Sequence, residues 1–330
     1  MTPAASSASL TAPPRNTLRQ FRLASLSAMI LPGLILLLGA ITSYIEPRFC
    51  SVENLLNLSR QLSPLLIISV GEGFAVISGG LDLSVAAMLA LSGVYGVMVM
   101  SHLGIVIGVA AMILTGAAFG LINGAIISWF QLSPFIVTLG TLSIARGLAL
   151  TATGGLPIYD LPDGYVSAIG SGSILGIPWP PVIALLTLIV GHILLKYTVF
   201  GRQVVAIGSS EAAAMYSGVN VGLTKTAIYC VSGITAGIGA VVLTGWVSSA
   251  QPNAASGQEL QSLAAVVLGG IALNGGVGSM LDAFWGVLML GMLSNSLDMM
   301  GVSSFVQILA AGAVIVLAAI VDGVRHRREI

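Results

Sequence analysis

The stretch that decides the fold is LGIVIGVAAMILTGAAFGLINGAIIS at residues 103–128, which contains no charged side chain. It is longer than the roughly 20 apolar residues that a helix needs to cross a bilayer. The whole chain is 56% hydrophobic and only 7% charged, whereas a soluble domain has about 25% charged residues. Because lipid cannot satisfy backbone hydrogen bonds, the spans should be helices. The sequence therefore predicts an all-α, polytopic membrane protein.

The same pattern recurs along the chain, and it predicts about ten transmembrane helices. The predicted spans are residues 23–44, 62–79, 83–101, 103–128, 134–152, 181–198, 225–247, 259–273, 282–299 and 303–322. The second and third are separated only by Gly80, Leu81 and Asp82. These two segments are therefore full spans or broken, re-entrant helices.

The basic residues predict the orientation. If the N-terminus is cytoplasmic, ten spans return the C-terminus to the same side. Nine basic residues are then cytoplasmic: Arg15, Arg19, Arg22, Lys196, Arg202, Lys225, Arg325, Arg327 and Arg328. Arg48 and Arg60 are outside, and Arg146 lies in or near a span. Since cytoplasmic loops are enriched in Lys and Arg, both termini are predicted to be cytoplasmic.

The chain divides into a tail, one transmembrane domain and a second tail. Residues 1–22 are predicted to be a disordered cytoplasmic tail, residues 23–322 the transmembrane domain, and residues 323–330 a basic cytoplasmic tail. A cleaved signal peptide is the alternative for the N-terminus, since basic residues precede an apolar run. No small-x-small cleavage site follows that run, which favours a retained first span.

The order of spans also suggests an internal repeat. Six predicted spans precede the polar segment 199–224 and four follow it. Spans two to five and spans seven to ten would then have opposite orientations, as in transporters built from inverted repeats. The two groups share little sequence, so this hypothesis depends on topology alone.

The polar segment 199–224 is the main cytoplasmic loop in this topology, and it contains a short predicted helix. A serine at 209 or 210 can cap the helix, an acid follows in its first turn, and a glycine can end it. The residues predicted to form this coupling surface are Ser209, Glu211, Ala212, Ala213, Ser217 and Gly218. A helix with small side chains suits docking into a groove on another protein; an ordinary connector helix is the alternative.

The sequence SGGLDLS at residues 78–84 places an acid between two apolar segments. A charge at the centre of a span costs at least about 2.5–3.5 kcal/mol, and two glycines before it permit an unwound backbone. One interpretation is a gate or a lining for a polar solute path, near Glu72. The other is that Asp82 caps a helix beginning near Leu83, and both can hold.

Other polar residues in or beside the spans are candidates for the same path. The predicted path residues are Gly79, Gly80, Asp82, Ser84, Asn123 and Asn274. The asparagines, together with Asn295, can instead hydrogen-bond one helix to another. Arg146 needs a partner within the membrane, and the sequence leaves Glu72 and Asp82 as alternatives.

Enzyme motifs find little support. The histidines at 102, 192 and 326 are isolated and lack the spacing of metal ligands. The chain has no Gly-x-x-x-x-Gly-Lys-Ser/Thr phosphate loop, so energy for any work would have to come from a partner or from a gradient. No cofactor, no metal site and no catalytic residue is predicted.

Several motifs, in this order, resemble those of the ribose-type monosaccharide permeases, within the branched-chain and sugar permease superfamily. They are SGGLDLSV (78–85), FIVTLG (135–140), ARG (145–147), AIGSSE (206–211), SGVN (217–220) and GQELQSLAAVVLGG (257–270). The resemblance extends from about Phe49 to Asp322. Glu72 departs from it, because a small or apolar residue is usual there, and Asn274 replaces a small or hydroxyl residue.

The resemblance implies a permease subunit of a bacterial ATP-binding-cassette importer in the inner membrane. Its implied partners are a second permease subunit, an ATPase docked around residues 211–218, and a periplasmic sugar-binding protein. The sugar is not identified by the sequence, nor is a homodimer distinguished from a heterodimer. The alternatives are a gradient-driven secondary transporter, an intramembrane enzyme and a receptor or scaffold that does not transport.

Overall fold

The computed structural model describes residues 16–303, 305–307, 309–310 and 312–313, with side chains from Leu31 onward. The helices are α1 (Asn16–Ile45), α2 (Val52–Ile77), α3 (Val85–Leu103), α4 (Ile105–Trp129), α5 (Pro134–Thr153), α6 (Asp163–Tyr165), α7 (Trp179–Tyr197), α8 (Val199–Ser209), α9 (Glu211–Tyr216), α10 (Val221–Val247), α11 (Gln258–Gly269) and α12 (Met280–Met299). The other regular elements are a 3-10 turn (Pro47–Cys50), a π-helical turn (Val166–Ser171) and a hairpin of β1 (Ser173–Ile174) and β2 (Ile177–Pro178).

The all-α, polytopic class is confirmed. Among the described residues, seven helices are long and apolar enough to cross a membrane: α2, α3, α4, α5, α7, α10 and α12. The apolar part of α1, Leu31–Ile45, is shorter. Most of the tenth predicted span, the tail 323–330 and the first 15 residues of the N-terminal tail lie outside the described residues. The total of ten spans and the side of the termini stay predictions, as does the inverted repeat.

The predicted span at residues 259–273 is longer than the helix that the structure has there. Here α11 has 12 residues, a length of about 18 Å at 1.5 Å per residue, and cannot cross a core of about 30 Å by itself. Gly270, with φ of +124°, ends it. Residues 270–279 then return through a glycine-rich loop to α12, so that α11 is a half-length helix.

Helices α2, α3 and α10 form the interior of the bundle. In the most apolar 18-residue stretch of α2, 83% of the residues are buried, against 22% in that of α4, so α4 lies at the outside of the bundle within this chain. Helix α4 approaches α10 closely through glycines: a Cβ on Gly116 would overlap the Gly233 carbonyl, and one on Gly120 the Tyr229 carbonyl. Small residues at this spacing let two helix backbones pack in contact.

Loop contacts define two opposite ends of the bundle. At the first, the backbones of Ile158 and Ala250 exchange two hydrogen bonds of 2.9 Å, which joins the loops after α5 and α10. We call this the Ala250 end. At the other, which we call the α9 end, the segment after α2 meets α8 and the loop 270–279. Loops predicted to share a side of the membrane therefore lie together.

Candidate gate and coupling surface

The predicted break between α2 and α3 is present. Helix α2 ends at Ile77 and α3 begins at Val85. Gly79 has φ of +82°, a left-handed conformation that favours glycine. A Cβ on Gly80 would lie 2.5 Å from the Tyr229 hydroxyl oxygen. The Leu81 carbonyl accepts hydrogen bonds from Tyr229 and Thr138, both 3.4 Å. Residues 78–84 are thus held between α5 and α10.

Asp82 is the centre of a buried hydrogen-bond network. Its Oδ1 accepts from the Ser84 N–H at 3.0 Å and from the Ser84 hydroxyl at 2.5 Å. Its Oδ2 accepts from the Ser232 hydroxyl of α10 at 2.6 Å. The Asn123 Nδ2 of α4 donates to Ser84 Oγ at 2.8 Å. Three of the predicted path residues, Asp82, Ser84 and Asn123, therefore lie together, and they tie the start of α3 to α4 and α10.

Asp82 makes a bond that bears on the alternative in which it caps a helix beginning near Leu83. The cap residue of α3 is Ser84, and its side chain makes no capping bond. Asp82 lies two residues earlier and accepts from the Ser84 N–H, which is the local turn that aspartate commonly makes. The carboxylate therefore holds the turn that leads into α3, as the capping interpretation predicts, although the regular helix begins at Val85.

Glu72 lies beside this network and is fully buried in α2. Its Oε1 accepts from the Asp82 N–H at 3.3 Å. Its Oε2 has no hydrogen-bond partner among the described residues. Two carboxyl groups thus lie close together within the span region, and only Asp82 has donors on both of its oxygens.

We expect Glu72→Gln to raise the melting temperature of the purified protein. The amide has nearly the same shape but carries no charge, so the change removes an ionisable group whose burial is unfavourable. Thermal unfolding in detergent measures this, with Gln61→Glu as the matched converse at an exposed position of the same helix. A large drop in the melting temperature of Glu72→Gln would contradict the assignment of Glu72 as an unsatisfied group.

Four glycines bring three chain segments into backbone contact at the α9 end; we call Gly79, Gly208, Gly275 and Gly276 the glycine junction. The Gly276 N–H donates to the Ile77 carbonyl at 2.8 Å. A Cβ on Gly208 would overlap both the Ile77 carbonyl and the Gly276 nitrogen, and one on Gly275 would lie 2.8 Å from the Gly79 nitrogen. The end of α8 is thus in direct contact with the break after α2.

Two of the predicted path residues lie at this junction. Gly79 is one of its glycines, and a Cβ there would lie 3.8 Å from the Asn274 carbonyl oxygen. The Asn274 side chain is exposed and makes no hydrogen bond to the Asp82 network. The predicted path residues therefore form two groups: Asp82, Ser84 and Asn123 inside the bundle, and Gly79 and Asn274 at its α9 end. Gly80 lies between them.

The polar segment 199–224 contains two helices, α8 and α9. The cap of α9 is Ser210, whose hydroxyl accepts from the Ala213 N–H at 3.2 Å. Ser209 is instead the last residue of α8, and its hydroxyl donates to the Val205 carbonyl at 2.9 Å. The alternative that Ser209 caps α9 is therefore wrong. Gly218 has φ of +86° and follows the helix in the left-handed conformation. Glu211 pairs with Lys225 at 2.7 Å, which fastens α9 to α10.

One face of α9 is exposed in the part of the chain that the structure describes. Ala214 is buried, whereas Met215 is 58% exposed and Tyr216 87% exposed. Ala212, Ala213 and Ser217 are exposed as well. Beside α9 lies a groove of about 710 Å³. It is lined by the turn after α4 and the start of α10, and by Glu211 and Met215.

Arg146 does not contact Glu72 or Asp82. Its Nη1 donates to the carbonyls of Pro252 and Ala254, both at 2.9 Å. The prediction of an acidic partner within the membrane is therefore wrong. The guanidinium reaches toward the Ala250 end, where carbonyl groups of the loop between α10 and α11 accept its hydrogen bonds.

Asn295 joins two helices, as the packing interpretation predicts. Its side chain exchanges two amide hydrogen bonds with Asn54 of α2, at 3.0 and 3.1 Å.

The residues that the sequence did not reveal are Ser232, Tyr229, Gly208 and Gly276. A serine or glycine in an apolar helix is common, and nothing in the local pattern says which distant segment it touches.

Within the described residues, seven helices long and apolar enough to cross a membrane pack around a buried polar break, and α8 joins that break to the exposed helix α9. These features are those of a polytopic membrane protein. The sequence matches the family described as branched-chain amino acid transport system / permease component over residues 54–319. The chain belongs to this family.

The curated relatives of the chain agree with this family assignment. The chain is 39% identical over 293 residues to the ribose import permease protein RbsC of Haemophilus influenzae, covering 87% of this chain and 90% of the relative. It is 40% identical over 290 residues to RbsC of Bacillus subtilis, with the same coverage. It is 33% identical over 293 residues to the D-allose transport system permease protein AlsC of Escherichia coli, covering 88% and 89%. No solved structure matches the chain significantly.

Proposed function

We propose that this chain is the membrane-spanning permease subunit of an ATP-binding-cassette importer that moves a monosaccharide across the bacterial inner membrane. The single observation that carries the mechanism is the glycine junction, through which α8, the helix that precedes the exposed α9, contacts the segment after α2. The substrate class follows from relatives named for ribose, D-allose and L-arabinose transport. Transport, not catalysis, is the task of this subunit.

The α9 end would face the cytoplasm and the ATPase. The predicted orientation from basic residues supports this, since Lys196, Arg202 and Lys225 all lie in or beside α7–α10 at that end. The exposed face of α9 and its neighbouring groove offer a docking surface with an apolar tip, Met215 and Tyr216. The Ala250 end would then receive the sugar-binding protein. A second permease subunit would complete the path.

The proposed mechanism moves α8 and α9 as the ATPase subunits close. Because Gly208 packs directly on the Ile77 carbonyl and on Gly276, a displacement of α8 must shift the segment 78–84 or separate the junction. That segment carries Asp82, whose bonds to Ser84 and Ser232 hold α3 against α10. Its movement would open or close the path near the start of α3.

A gradient-driven secondary transporter is the second candidate, and the buried pair Glu72 and Asp82 is the observation that favours it. Buried carboxylates in spans often serve proton or ion coupling. The test is uptake of ribose, D-allose and L-arabinose by proteoliposomes that hold the chain with its co-purified partners. ATP-dependent uptake that survives collapse of the proton and sodium gradients supports the importer. Uptake by the chain alone, lost with the gradient, would replace it with the carrier.

We expect Tyr216→Asp to abolish co-purification of the ATPase and to reduce uptake to background. The change places a charge at the more exposed of the two large apolar side chains of α9, where an apolar contact with the partner is expected. Tyr159→Asp is the matched control for co-purification of the ATPase, because Tyr159 is 71% exposed but lies in the loop that pairs with Ala250, at the opposite end of the bundle. Retention of the ATPase by Tyr216→Asp would place the docking surface elsewhere.

A further inference from the structure

A second groove, of about 230 Å³, lies toward the Ala250 end between α2, α11 and α12. Its polar lining consists mainly of amide side chains: Gln61 of α2, Gln258 and Gln261 of α11, and Gln307. The apolar lining includes Leu62, Leu65 and Leu290. We call this feature the glutamine groove. It is distinct from the Asp82 network and from the groove beside α9.

Glutamines at this position do not suit contact with lipid. Polar side chains within the span region face the interior of the protein or a water-filled path. Gln61 and Gln261 are exposed in the isolated chain, and the Gln258 Oε1 is buried with no hydrogen-bond partner among the described residues. A buried acceptor left without a donor is unfavourable. Gln258 therefore has an acceptor available for a ligand hydroxyl.

The chemistry of the lining specifies a neutral polar ligand. Among the described residues that line the groove there is no Asp, Glu, Lys or Arg, so this lining does not select an anion or a cation. Each amide offers both donors and acceptors, which matches hydroxyl groups. The leucines offer an apolar surface for the C–H side of a ring. Gln258 also borders a smaller cavity of about 120 Å³ shared with Gln251 and Ser249.

We propose that the glutamine groove is a sugar-binding subsite, which holds the monosaccharide after it enters at the Ala250 end and before it passes the segment 78–84. Gln258 and Gln261 are its principal hydrogen-bonding residues. This inference rests on the proposed function, because it assumes that a sugar is delivered at this end. A weak subsite suits transport, since the ligand has to leave it again.

The test uses the complete importer in proteoliposomes, with ATP hydrolysis and sugar uptake measured together for the sugar that the wild type carries. We expect Gln258→Leu and Gln261→Leu each to lower the number of sugar molecules moved per ATP about tenfold, as loss of one or two hydrogen bonds would. Stimulation of ATP hydrolysis by the loaded binding protein should persist. Gln261 is exposed, so its variant should fold even if Gln258→Leu does not.

Thr187→Val is the control, because Thr187 lines an apolar groove between α2, α7 and α10 and should leave the ratio unchanged. Unchanged transport per ATP in Gln261→Leu would overturn the proposal. An equal fall of uptake and ATP hydrolysis would also overturn it, by indicating a structural role. Dissociation of the permease pair, seen by light scattering, would show that the groove is a subunit interface instead. Failure of the proposed function differs from all of these, because the wild type itself would then show no ATP-dependent uptake.

Discussion

Replacement of Gly208 by alanine should abolish uptake while leaving the protein inserted in the membrane. The new Cβ would overlap the Ile77 carbonyl and the Gly276 nitrogen, and both obstacles are backbone atoms that cannot rotate away. Overpacking of this kind costs about 1–3 kcal/mol. We expect α8 to separate from the segment after Ile77, so that motion of α9 no longer reaches the break.

Uptake and ATP hydrolysis should be measured together for this variant. ATPase binding and hydrolysis should continue without transport, because the face of α9 itself is unchanged. Gly33→Ala is the matched control: it also adds one methyl group to a helix, but nothing lies within 4 Å of the new atom. Normal transport by Gly208→Ala would refute the mechanical role of the junction.

Replacement of Asp82 by alanine should have the second large effect, on stability as well as uptake. The carboxylate accepts from the Ser84 hydroxyl and amide and from the Ser232 hydroxyl. Removing it leaves two buried hydroxyls without that acceptor. Hydrogen bonds to a charged group contribute about 1.5–3 kcal/mol each, so a loss on the order of 3 kcal/mol is expected. Thermal unfolding in detergent and uptake both measure it.

Two further variants separate the hydrogen bonds of Asp82 from a general effect of mutating this region. Asp82→Asn keeps one carbonyl acceptor and should retain part of the stability. Ser92→Ala removes a buried hydroxyl of α3 that has no hydrogen-bond partner among the described residues, and it should be close to neutral. If Asp82→Ala unfolds at the wild-type temperature and transports normally, the network has neither a structural nor a gating role.

Local sequence features predicted a large part of the candidate site. The glycine pair before Asp82 predicted the break between α2 and α3, because glycine permits the unwound backbone that a helix-forming residue would oppose. The stop of α9 at Gly218 was equally readable. The cap was left open between Ser209 and Ser210, because the two serines are chemically alike. Only the geometry shows that Ser209 still belongs to α8.

The partner of Arg146 shows where such reasoning fails. A buried cation suggests a buried anion, and Glu72 and Asp82 were the available acids. In the structure, the backbone carbonyls of Pro252 and Ala254 accept hydrogen bonds from Arg146. Any chain segment can supply a carbonyl, so this partner leaves no trace in side-chain composition.

The sequence by itself determined the membrane class, the helical architecture, the family and the position of the polar break, because each depends on hydropathy or on short motifs along the chain. Only the tertiary structure decided that Gly208 and Gly276 meet the end of α2, that Ser232 binds Asp82, and that four glutamines line one groove. These contacts join residues far apart in the chain. They depend on how closely helix backbones approach, which is set by the packing of the whole bundle.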